Sequence, residues 1–409
     1  MKETDKEYRI SFIGDVVIEY PVLREAARED GSYDFSPALA PLAGLLRSSD
    51  YAVANLETPL GGEEAGYTPN IFSMNTPDSI VDALQGIGID AVTTANNHMM
   101  DRGMEALLRT CRVLDDKGMA HTGTYDTIPE DRSLYFELGG TTVALLSYSV
   151  SANYASNRKK YDFAGVYEHA NFLRPYTSPV MRLPEDPCVK ETFAFFEKKM
   201  GRPLDFEERA ELRRAMHQPV AFADDAFEAD ETEPFMEKLR TDYERARSKA
   251  DIVIICPHTG GQFNTEPGAA SRFFFSRMAQ MGFDAVVAAH SHTTQRVWTI
   301  GSTLVAGCLG NVTMSPMTGY MSSVPETLSE YGMMLHIYIS DKKLTRAGFS
   351  LFKAVQDESH PLRAVPVTEL LSEITEPAQR EKTVAEILEV CGRITGRYVS
   401  SVEEEWPLS

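Results

Sequence analysis

The 409-residue sequence contains few cysteines and no long hydrophobic run. Its five cysteines are odd in number, and no two of them have the Cys-x-x-Cys spacing of a zinc knuckle or a redox site. No apolar run approaches the roughly 18 to 20 residues of a membrane span, and the N-terminal MKETDKEYRI lacks the apolar segment of a signal peptide. These absences predict a reduced, cytoplasmic protein without disulfides or a membrane span.

Positive charge is also scarce. The chain has 40 Lys and Arg against 60 Asp and Glu, which gives a formal net charge of −20. A chain this acidic repels nucleic-acid backbones and anionic membranes, so we expect neither as a partner. An anionic small molecule or polymer can bind only where metal ions or a basic pocket reverse the local field. The Gly-x-x-x-x-Gly-Lys-Ser/Thr loop of many nucleotide-binding enzymes is missing as well.

What the sequence does contain is an alternation of short apolar runs with segments of helical period. Several of the runs lack polar alternation, as is typical of strands buried on both faces. Such strands are predicted at 8–14, 51–55, 89–96, 142–149, 251–258, 284–290 and 303–311. Helices are predicted over 104–114 and from about 232 to 250, and an antiparallel pair is predicted around the turn Ser340–Lys343. The alternation indicates an α/β fold with a largely parallel core.

The domain organisation follows from breaks in this rhythm. Residues 1–365 are predicted to form one α/β domain. Within it, 151–232 is a charged, aromatic and partly helical insertion, with its helix at 188–216, that we expect over the active-site face. Residues 366–409 are predicted to be a helical tail packed on the domain.

Polar residues with metal-binding or acid–base chemistry follow almost every predicted strand. They are Asp15, Asn55, Glu57, Asn96, Asn97, His98, His258, His290 and His292. Each one alone is commonly a cap, a turn residue, a solvated side chain or a buried histidine. Ligands collect outside the carboxyl ends of strands in α/β sheets, so we expect these residues to meet. Carboxylate, amide and imidazole groups favour Mn, Fe or Zn, and this set is sufficient for two ions that share a carboxylate.

Six segments carry a family resemblance. In chain order between residues 10 and 311 they read FIGDVVIEY, ANLETPL, TTANNHMMDRG, PHTGGQFNTEP, AAHSHTTQ and CLGN. They resemble the motifs of the poly-gamma-glutamate capsule biosynthesis (CapA-like) family, which is similar to calcineurin-like metallophosphoesterases. The resemblance implies a four-layer α/β/β/α sandwich with two divalent ions, Mn, Fe or Zn.

The resemblance also implies roles for individual residues. The metal ligands would be Asp15, Glu57, Asn97, His258, His290 and His292, with Glu57 in the place of a bridging aspartate. His98 would be the general acid, oriented by Asp101. Asn55, Asn96, Gln262, Glu266 and Arg296 would contact the substrate or support the ligands. In a weaker alternative, Asn96 and Asp101 only cap the following helix.

Two positions depart from the patterns that the resemblance leads one to expect. Val17 stands where the phosphoesterases usually have a histidine, and Gln262 stands where the CapA-like pattern has a carboxylate. Glu266 before Pro267 is retained and would compensate for Gln262.

Three functions are therefore considered. The first is a metal-dependent hydrolase or transferase linked to poly-gamma-glutamate, in which a metal-bound hydroxide attacks and His98 protonates the leaving group. The second is a non-catalytic polymer-binding or scaffold subunit with a degraded metal site, which Val17 and Gln262 favour. The third is a nucleotide phosphodiesterase, in which Tyr154, Tyr161 or Phe163 would clamp the base.

Overall fold

The computed structural model describes most of the chain. The described residues are 6–69, 73–178, 187–202, 229–318, 324–357 and 360–408, together with 204, 208, 212, 215, 216 and 321. Their strands are β1 (Tyr8–Val16), β2 (Tyr51–Leu56), β3 (Ala91–Thr93), β4 (Ala120–Thr122), β5 (Leu134–Leu138), β6 (Thr141–Ser149), β7 (Ile252–His258), β8 (Ala285–Val287), β9 (Val297–Ile300), β10 (Thr303–Ala306), β11 (Tyr331–Ser340), β12 (Lys343–Val355), β13 (Arg363–Pro366) and β14 (Trp406–Leu408).

Helices occupy the connections between these strands. The α-helices are Tyr20–Ala26, Ser36–Leu39, Ala43–Leu46, Ser79–Gly86, Gly103–Asp116, Tyr154–Asn157, Val166–His169, Pro187–Met200, Ala229–Arg247, Ala269–Met281, Val367–Glu373 and Pro377–Thr395. Short 3-10 helices are Ala40–Leu42, Glu63–Ala65 and Pro325–Thr327. None of the helices in the described part of the chain has the length and hydrophobicity to cross a membrane.

The strands form two mixed sheets. The first has the order β13-β12-β11-β1-β2-β3-β4, with β14 paired to β12, and the second has the order β5-β6-β7-β8-β10-β9. Strands β1 to β4 are mutually parallel, and so are β6, β7, β8 and β10. Both sheets therefore deliver the carboxyl ends of several neighbouring strands to one edge, which is where α/β folds bind ligands.

Alternating side chains build a four-layer α/β/β/α sandwich. Ile10 and Phe12 of β1 join Ile252 and Ile254 of β7 in the core between the sheets. On the outer face of the first sheet, β1 and β2 pack against the helices at 20–26, 36–46 and 79–86. The second sheet packs in the same way against the helices at 229–247 and 269–281. The period of two in the strands thus gives each sheet two apolar faces.

The α/β fold class and the predicted core strands are confirmed, although the strand predicted at 303–311 ends at Ala306. β3 and β8 are only three residues long, and the sequence reading omitted β4, β5, β9, β13 and β14. β11 and β12 are the predicted antiparallel pair. The helix predicted at 188–216 is described as Pro187–Met200, and part of its remainder lies outside the described residues. The segment after 366 contains two helices and also β14, which pairs with β12.

Candidate metal centre

A bulge in β1 positions the first acidic side chain. The pairing of β1 with β2 shifts its register between Ile13 and Asp15, at Gly14. A Cβ on Gly14 would overlap the carbonyl oxygen of Gly310, so only glycine fits there. The amide of Asp15 donates to that same carbonyl at 2.9 Å. The close approach of the backbone at Gly14 to the backbone at Gly310 therefore fixes where the Asp15 carboxylate lies in the site.

Two buried groups of ligand-type side chains meet at the carboxyl ends of the strands. One consists of Glu57, His258 and His290, and the other of Asp15, Glu57 and His292. Within each group the nearest ligand atoms all lie within 4.8 Å of one another, and Glu57 belongs to both. All five residues are buried. The sequence-predicted carboxylates and imidazoles thus converge as two overlapping triads around one shared carboxylate.

Glu57 is the most unusual member of this cluster. Its side chain is fully buried, and neither carboxylate oxygen has a hydrogen-bond partner among the described residues. Nε2 of His258 is 3.3 Å from Oε1, and Nε2 of His292 is 3.8 Å from the same oxygen. Nδ1 of His290 is also buried without a hydrogen-bond partner among these residues. Unsatisfied buried polar atoms are costly, and cations at the two triads would satisfy them. The residues therefore fit a pair of metal ions.

Both histidines of the His-Ser-His segment have a backbone conformation that is rare for residues other than glycine. His290 has a φ of 101° and His292 a φ of 55°, both in the region that non-glycine residues rarely adopt. In an extended strand, residues two apart would share one face and their neighbours the other. Here the chain has left β8 at Val287, and the left-handed residues form a compact turn. Strain of this kind is found mainly at functional sites.

Amide side chains hold the imidazoles in place. Nδ2 of Asn55 donates to Oδ1 of Asp15 at 2.7 Å and lies 3.4 Å from Nδ1 of His258. Nε2 of His258 lies 2.7 Å from Oδ1 of Asn97. Nδ1 of His292 lies 2.8 Å from Oδ1 of Asn311, whose Nδ2 donates back to the His292 carbonyl. A histidine that donates one ring N–H to a carbonyl oxygen presents its other nitrogen to a metal, so Asn311 leaves Nε2 of His292 available.

The shifted pKa values of the residues in the cluster are those expected where a cation binds. Burial opposes the charged form of His292, but Glu57 and Asp15 outweigh it and raise the pKa of His292 to about 9. Burial likewise opposes ionisation of Asp15, but His292 and His258 hold the pKa of Asp15 below its usual range. Burial, together with His258 and His292, holds the pKa of His290 well below its usual range. A proton on His292 therefore supplies the positive charge that a metal ion would replace.

His98 and Asp101 form a tight buried pair beside the triads. Nδ1 of His98 is 2.6 Å from Oδ2 of Asp101, and Asp101 also accepts from the amide of Met74 at 2.8 Å. Burial lowers the pKa of His98, but the charge and hydrogen bond of Asp101 outweigh it and raise that pKa. The charged imidazole is thus favoured at a position next to Asn97, as a proton donor requires.

The capping alternative for this segment is wrong. The helix begins at Gly103 after Arg102, and no side chain caps it. Oδ2 of Asp101 is instead hydrogen-bonded to His98 and to the amide of Met74, and Oδ1 accepts from Asn157. Asn96 donates to the carbonyl of Leu56 at 2.8 Å and accepts from the amide of His98 at 3.1 Å. Asn96 therefore ties the loop after β3 to the end of β2.

The other substrate-side candidates lie outside the buried cluster. Arg296 is exposed and lies beside Gly396, at the end of the helix Pro377–Thr395. Glu266 is exposed and Gln262 half-buried on the loop that follows β7. Neither Glu266 nor Gln262 belongs to the described ligand groups. Val17 is 1% exposed, so an apolar side chain occupies the position that a histidine would take.

Two charged residues near the centre were missed by the sequence reading. Glu19 is 1% exposed and accepts from the amide of Ser315 at 2.9 Å. Burial raises the pKa of Glu19 to about 7, although Ser315 and the nearby His292 and His98 oppose the rise. Arg174 is 8% exposed, donates to the carbonyl of Val150 at 3.0 Å, and contributes to the low pKa of His290. No spacing in the sequence singled out either residue.

The aromatic residues considered as a nucleotide clamp pack against other parts of the protein. Phe163 is buried, and its ring packs edge-on against Tyr154 at 5.1 Å between centroids. Both rings also contact Tyr176. Tyr161 packs over Gly103 at the start of a helix. These rings form a core for the insertion, and this arrangement gives no support to the nucleotide phosphodiesterase.

Comparison with known proteins places this architecture in a family. The model of the family described as bacterial capsule synthesis protein PGA_cap matches residues 9–315, which include every residue of both triads. The chain belongs to this family. The family is linked to capsule synthesis and has the metallophosphoesterase-type fold, in agreement with the two sheets and flanking helices.

Individual relatives are distant. The PGA biosynthesis protein CapA of Bacillus subtilis is 20% identical over 311 residues, 75% of this chain and 63% of its own length. The uncharacterized protein y4uA of Sinorhizobium fredii is 28% identical over 147 residues, 34% of this chain and 30% of its own length. The chain thus spans less than two thirds of these relatives. A hypothetical protein from Thermus thermophilus covers 88% of this chain and 97% of its own, but its TM-score of 0.37 and 14% identity are too low to bear on function.

Proposed function

We propose that this protein is a metal-dependent hydrolase of the capsule synthesis family that uses two divalent ions, Mn, Fe or Zn. Asp15, Glu57 and His292 would hold one ion, and Glu57, His258 and His290 the other, with Asn97 beside His258. The observation that carries the proposal is the carboxylate of Glu57, which is shared by both groups and buried without a hydrogen-bond partner among the described residues. The donor set suits these borderline ions.

The chain's own residues supply the remaining parts of the reaction. When bound, two ions would activate water and stabilise the charge that develops on the substrate. Asp101 holds the proton on Nδ1 of His98, which leaves Nε2 as the atom that can pass a proton to the leaving group, an oxygen in a phosphoester or a nitrogen in a gamma-glutamyl amide. Arg174 adds a buried positive charge near His290 for an anionic substrate. This local positive charge offsets the net charge of −20.

The substrate class follows from this charge distribution. The phosphoester class suits the fold family, and the gamma-glutamyl polymer class suits the name of the Bacillus subtilis relative. Both are anionic, and both are hydrolysed through a transition state with more negative charge on oxygen than the ground state. A centre of two cations, His98 and Arg174 favours that change in either case.

The first test is metal content per chain by elemental analysis, on protein purified without a chelator or a histidine tag. We expect close to two Mn, Fe or Zn ions per chain. Turnover of bis(4-nitrophenyl) phosphate and of a gamma-linked glutamate oligomer then separates the two substrate classes. Absence of transition metal, even after reconstitution, would overturn the hydrolase and favour the non-catalytic polymer-binding subunit.

Variants separate the roles of the histidines. His290→Ala should lose metal and turnover, because it removes a ligand of one triad. His98→Ala should retain both ions and lose about 100- to 10,000-fold in turnover, as is typical for a general acid. His360→Ala is the matched control, since its side chain is exposed and pairs only with Asp357 among the described contacts. Equal metal loss in His98→Ala and His290→Ala would contradict the assignment of His98.

A further inference from the structure

Two asparagines of the insertion contact the general-acid pair and a metal ligand at once. Asn153 follows β6, where the chain leaves the second sheet, and Asn157 lies one helical turn later. His98, Asn97 and Asp101 instead follow β3 of the first sheet. The asparagines therefore connect the strand ends of one sheet with the catalytic loop of the other.

Asn153 faces Asn97 with its oxygen. Nδ2 of Asn97 donates to Oδ1 of Asn153 at 3.2 Å, while Oδ1 of Asn97 receives a hydrogen bond from Nε2 of His258 at 2.7 Å. The amide of Asn97 thus has a defined orientation, with nitrogen toward the insertion and oxygen toward the ligand cluster. Only that orientation offers a metal an oxygen, since the amide nitrogen is a donor without acceptor capacity.

The amide nitrogens of Asn153 and Asn157 both face Asp101. Nδ2 of Asn157 donates to Oδ1 of Asp101 at 2.9 Å, and Nδ2 of Asn153 lies 3.4 Å from the same oxygen and 3.3 Å from Nδ1 of His98. Oδ2 of Asp101 is then left to His98 and the amide of Met74. The donors from the insertion orient the carboxylate so that one oxygen always faces the imidazole.

The backbone of Asn153 is suited to this position. Its φ is 48°, a left-handed value that asparagine adopts more readily than most residues. Asn157 is 2% exposed, and its only described side-chain donation is to Asp101. A buried amide with this partner is costly unless the hydrogen bond is made, so the insertion and the His98–Asp101 pair stabilise each other's arrangement.

We propose that Asn153 and Asn157 are positioning residues, through which the insertion sets the amide orientation of Asn97 and the imidazole orientation of His98. The roles of Asn97 and His98 rest on the proposed function. The hydrogen bonds that Asn153 and Asn157 make to Asn97 and Asp101, here called the hydrogen-bond relay, do not depend on that function. The relay and the proposed function can therefore be tested separately. The insertion thereby becomes part of the catalytic centre without contributing a ligand.

Three variants divide the relay into its parts. Asn153→Gly keeps the left-handed backbone and removes both contacts. Asn153→Asp keeps an acceptor for Asn97 but removes the donor to Asp101. Asn157→Ala removes only the donor to Asp101. Ser156→Ala is the matched control, because Ser156 is exposed in the same helical turn.

The first readout is zinc affinity, measured by competition with a chromophoric chelator. Asn153→Gly should bind zinc about 10- to 100-fold more weakly, the usual cost of losing a partner of a ligand. Asn153→Asp, Asn157→Ala and Ser156→Ala should stay within a few-fold of the wild type. Equal affinity for Asn153→Gly and the wild type would overturn the role of Asn153 toward Asn97.

The second readout is the hydrogen-bonded Nδ1 proton of His98, followed by NMR with ring 15N labelling on metal-free protein. Asn153→Gly and Asn157→Ala should exchange this proton roughly fivefold faster, the factor that one ordinary hydrogen bond is worth. Unchanged exchange in Asn157→Ala, or an equal change in Ser156→Ala, would overturn the role toward Asp101. This measurement needs no turnover, so it stands even if the wild type binds no metal and the hydrolase proposal fails.

Discussion

Oε1 of Glu57 lies 3.3 Å from Nε2 of His258, yet that nitrogen makes its hydrogen bond to Asn97 and the carboxylate makes none among the described residues. A buried carboxylate in this position is an unfavourable element of the metal-free protein. The imidazoles of His258 and His292 offset part of this cost, and cations at the two triads would offset the rest. The relationship between these two residues therefore argues for function at a cost in stability.

We predict that Glu57→Gln separates these two effects. Metal affinity should fall at least about 100-fold, because a charged ligand common to both triads is replaced by a neutral amide. The metal-free variant should unfold at the same or a higher temperature than the metal-free wild type, since a buried carboxylate without a hydrogen-bond partner among the described residues is replaced by a neutral amide. Elemental analysis and thermal unfolding with a chelator measure the two. Glu266→Gln, at an exposed position, is the control; a variant that kept both ions would contradict the shared role of Glu57.

Gly14→Ala should damage the centre through the backbone. Its methyl group would overlap the carbonyl oxygen of Gly310, and the next residue is Asp15. We expect a loss of about 1 to 3 kcal/mol in unfolding free energy, as for other overpacked sites, and weaker metal binding because Asp15 must shift. Denaturant unfolding and metal content measure both. Gly44→Ala should do neither, because a Cβ there meets nothing within 4 Å.

Glu19 predicts a dependence of stability on pH near neutrality. Its pKa is raised by burial to about 7 from the ordinary 4.5, so the folded state binds the proton more tightly than the unfolded state. The resulting stability is fully present below pH 4.5 and is lost as the pH rises through 7, by about 3 kcal/mol in total. Glu19→Gln should abolish this loss in metal-free protein. Equal pH dependence of unfolding in the variant and the wild type would contradict it.

His336 predicts the opposite slope on the acid side. Its Nδ1 accepts from Nε of Arg9 at 3.1 Å, and its Nε2 lies 3.0 Å from Oγ of Ser350. Burial, Arg9 and Arg346 hold the pKa of His336 well below its usual 6.5. Its contribution is therefore present above pH 6.5 and is lost as the pH falls toward the folded-state pKa, by up to about 1.4 kcal/mol per pH unit.

His336→Gln tests this slope. The difference in unfolding free energy between wild type and variant should shrink steadily as the pH is lowered from 7 to 5. His360→Gln is the control, because His360 is exposed. A difference that stays constant over this range would show that His336 does not carry the acid dependence.

Much of the fold was readable from local pattern. Runs of apolar and β-branched residues predict buried strands such as β1, β6 and β7. Polar residues predict the turn between β11 and β12. The short or edge strands β4, β9 and β14 have three or four residues each. Their pairing is decided by neighbouring strands rather than by their own composition, so pattern alone did not find them.

The types of the candidate ligands were readable as well, because strand ends in an α/β sheet have a known direction. The residues that surround those ligands were not. Arg296 lies close to His292 in sequence but beside Gly396 in space, whereas Arg174, far from the His-Ser-His turn in sequence, lies near it. Sequence distance carries no information about such contacts once the chain has left the strand.

The sequence by itself determined the α/β class, the positions of the core strands along the chain and the set of carboxylate, amide and imidazole groups at their ends. Hydrophobic periodicity and chain direction are local properties, and they suffice for these features. Only the tertiary structure decided that the Glu57 carboxylate is buried without a hydrogen-bond partner among the described residues, that His290 and His292 have positive φ, and that Asn153 reaches Asn97. These relationships join residues from different sheets and insertions, so they exist only when the two sheets have packed together.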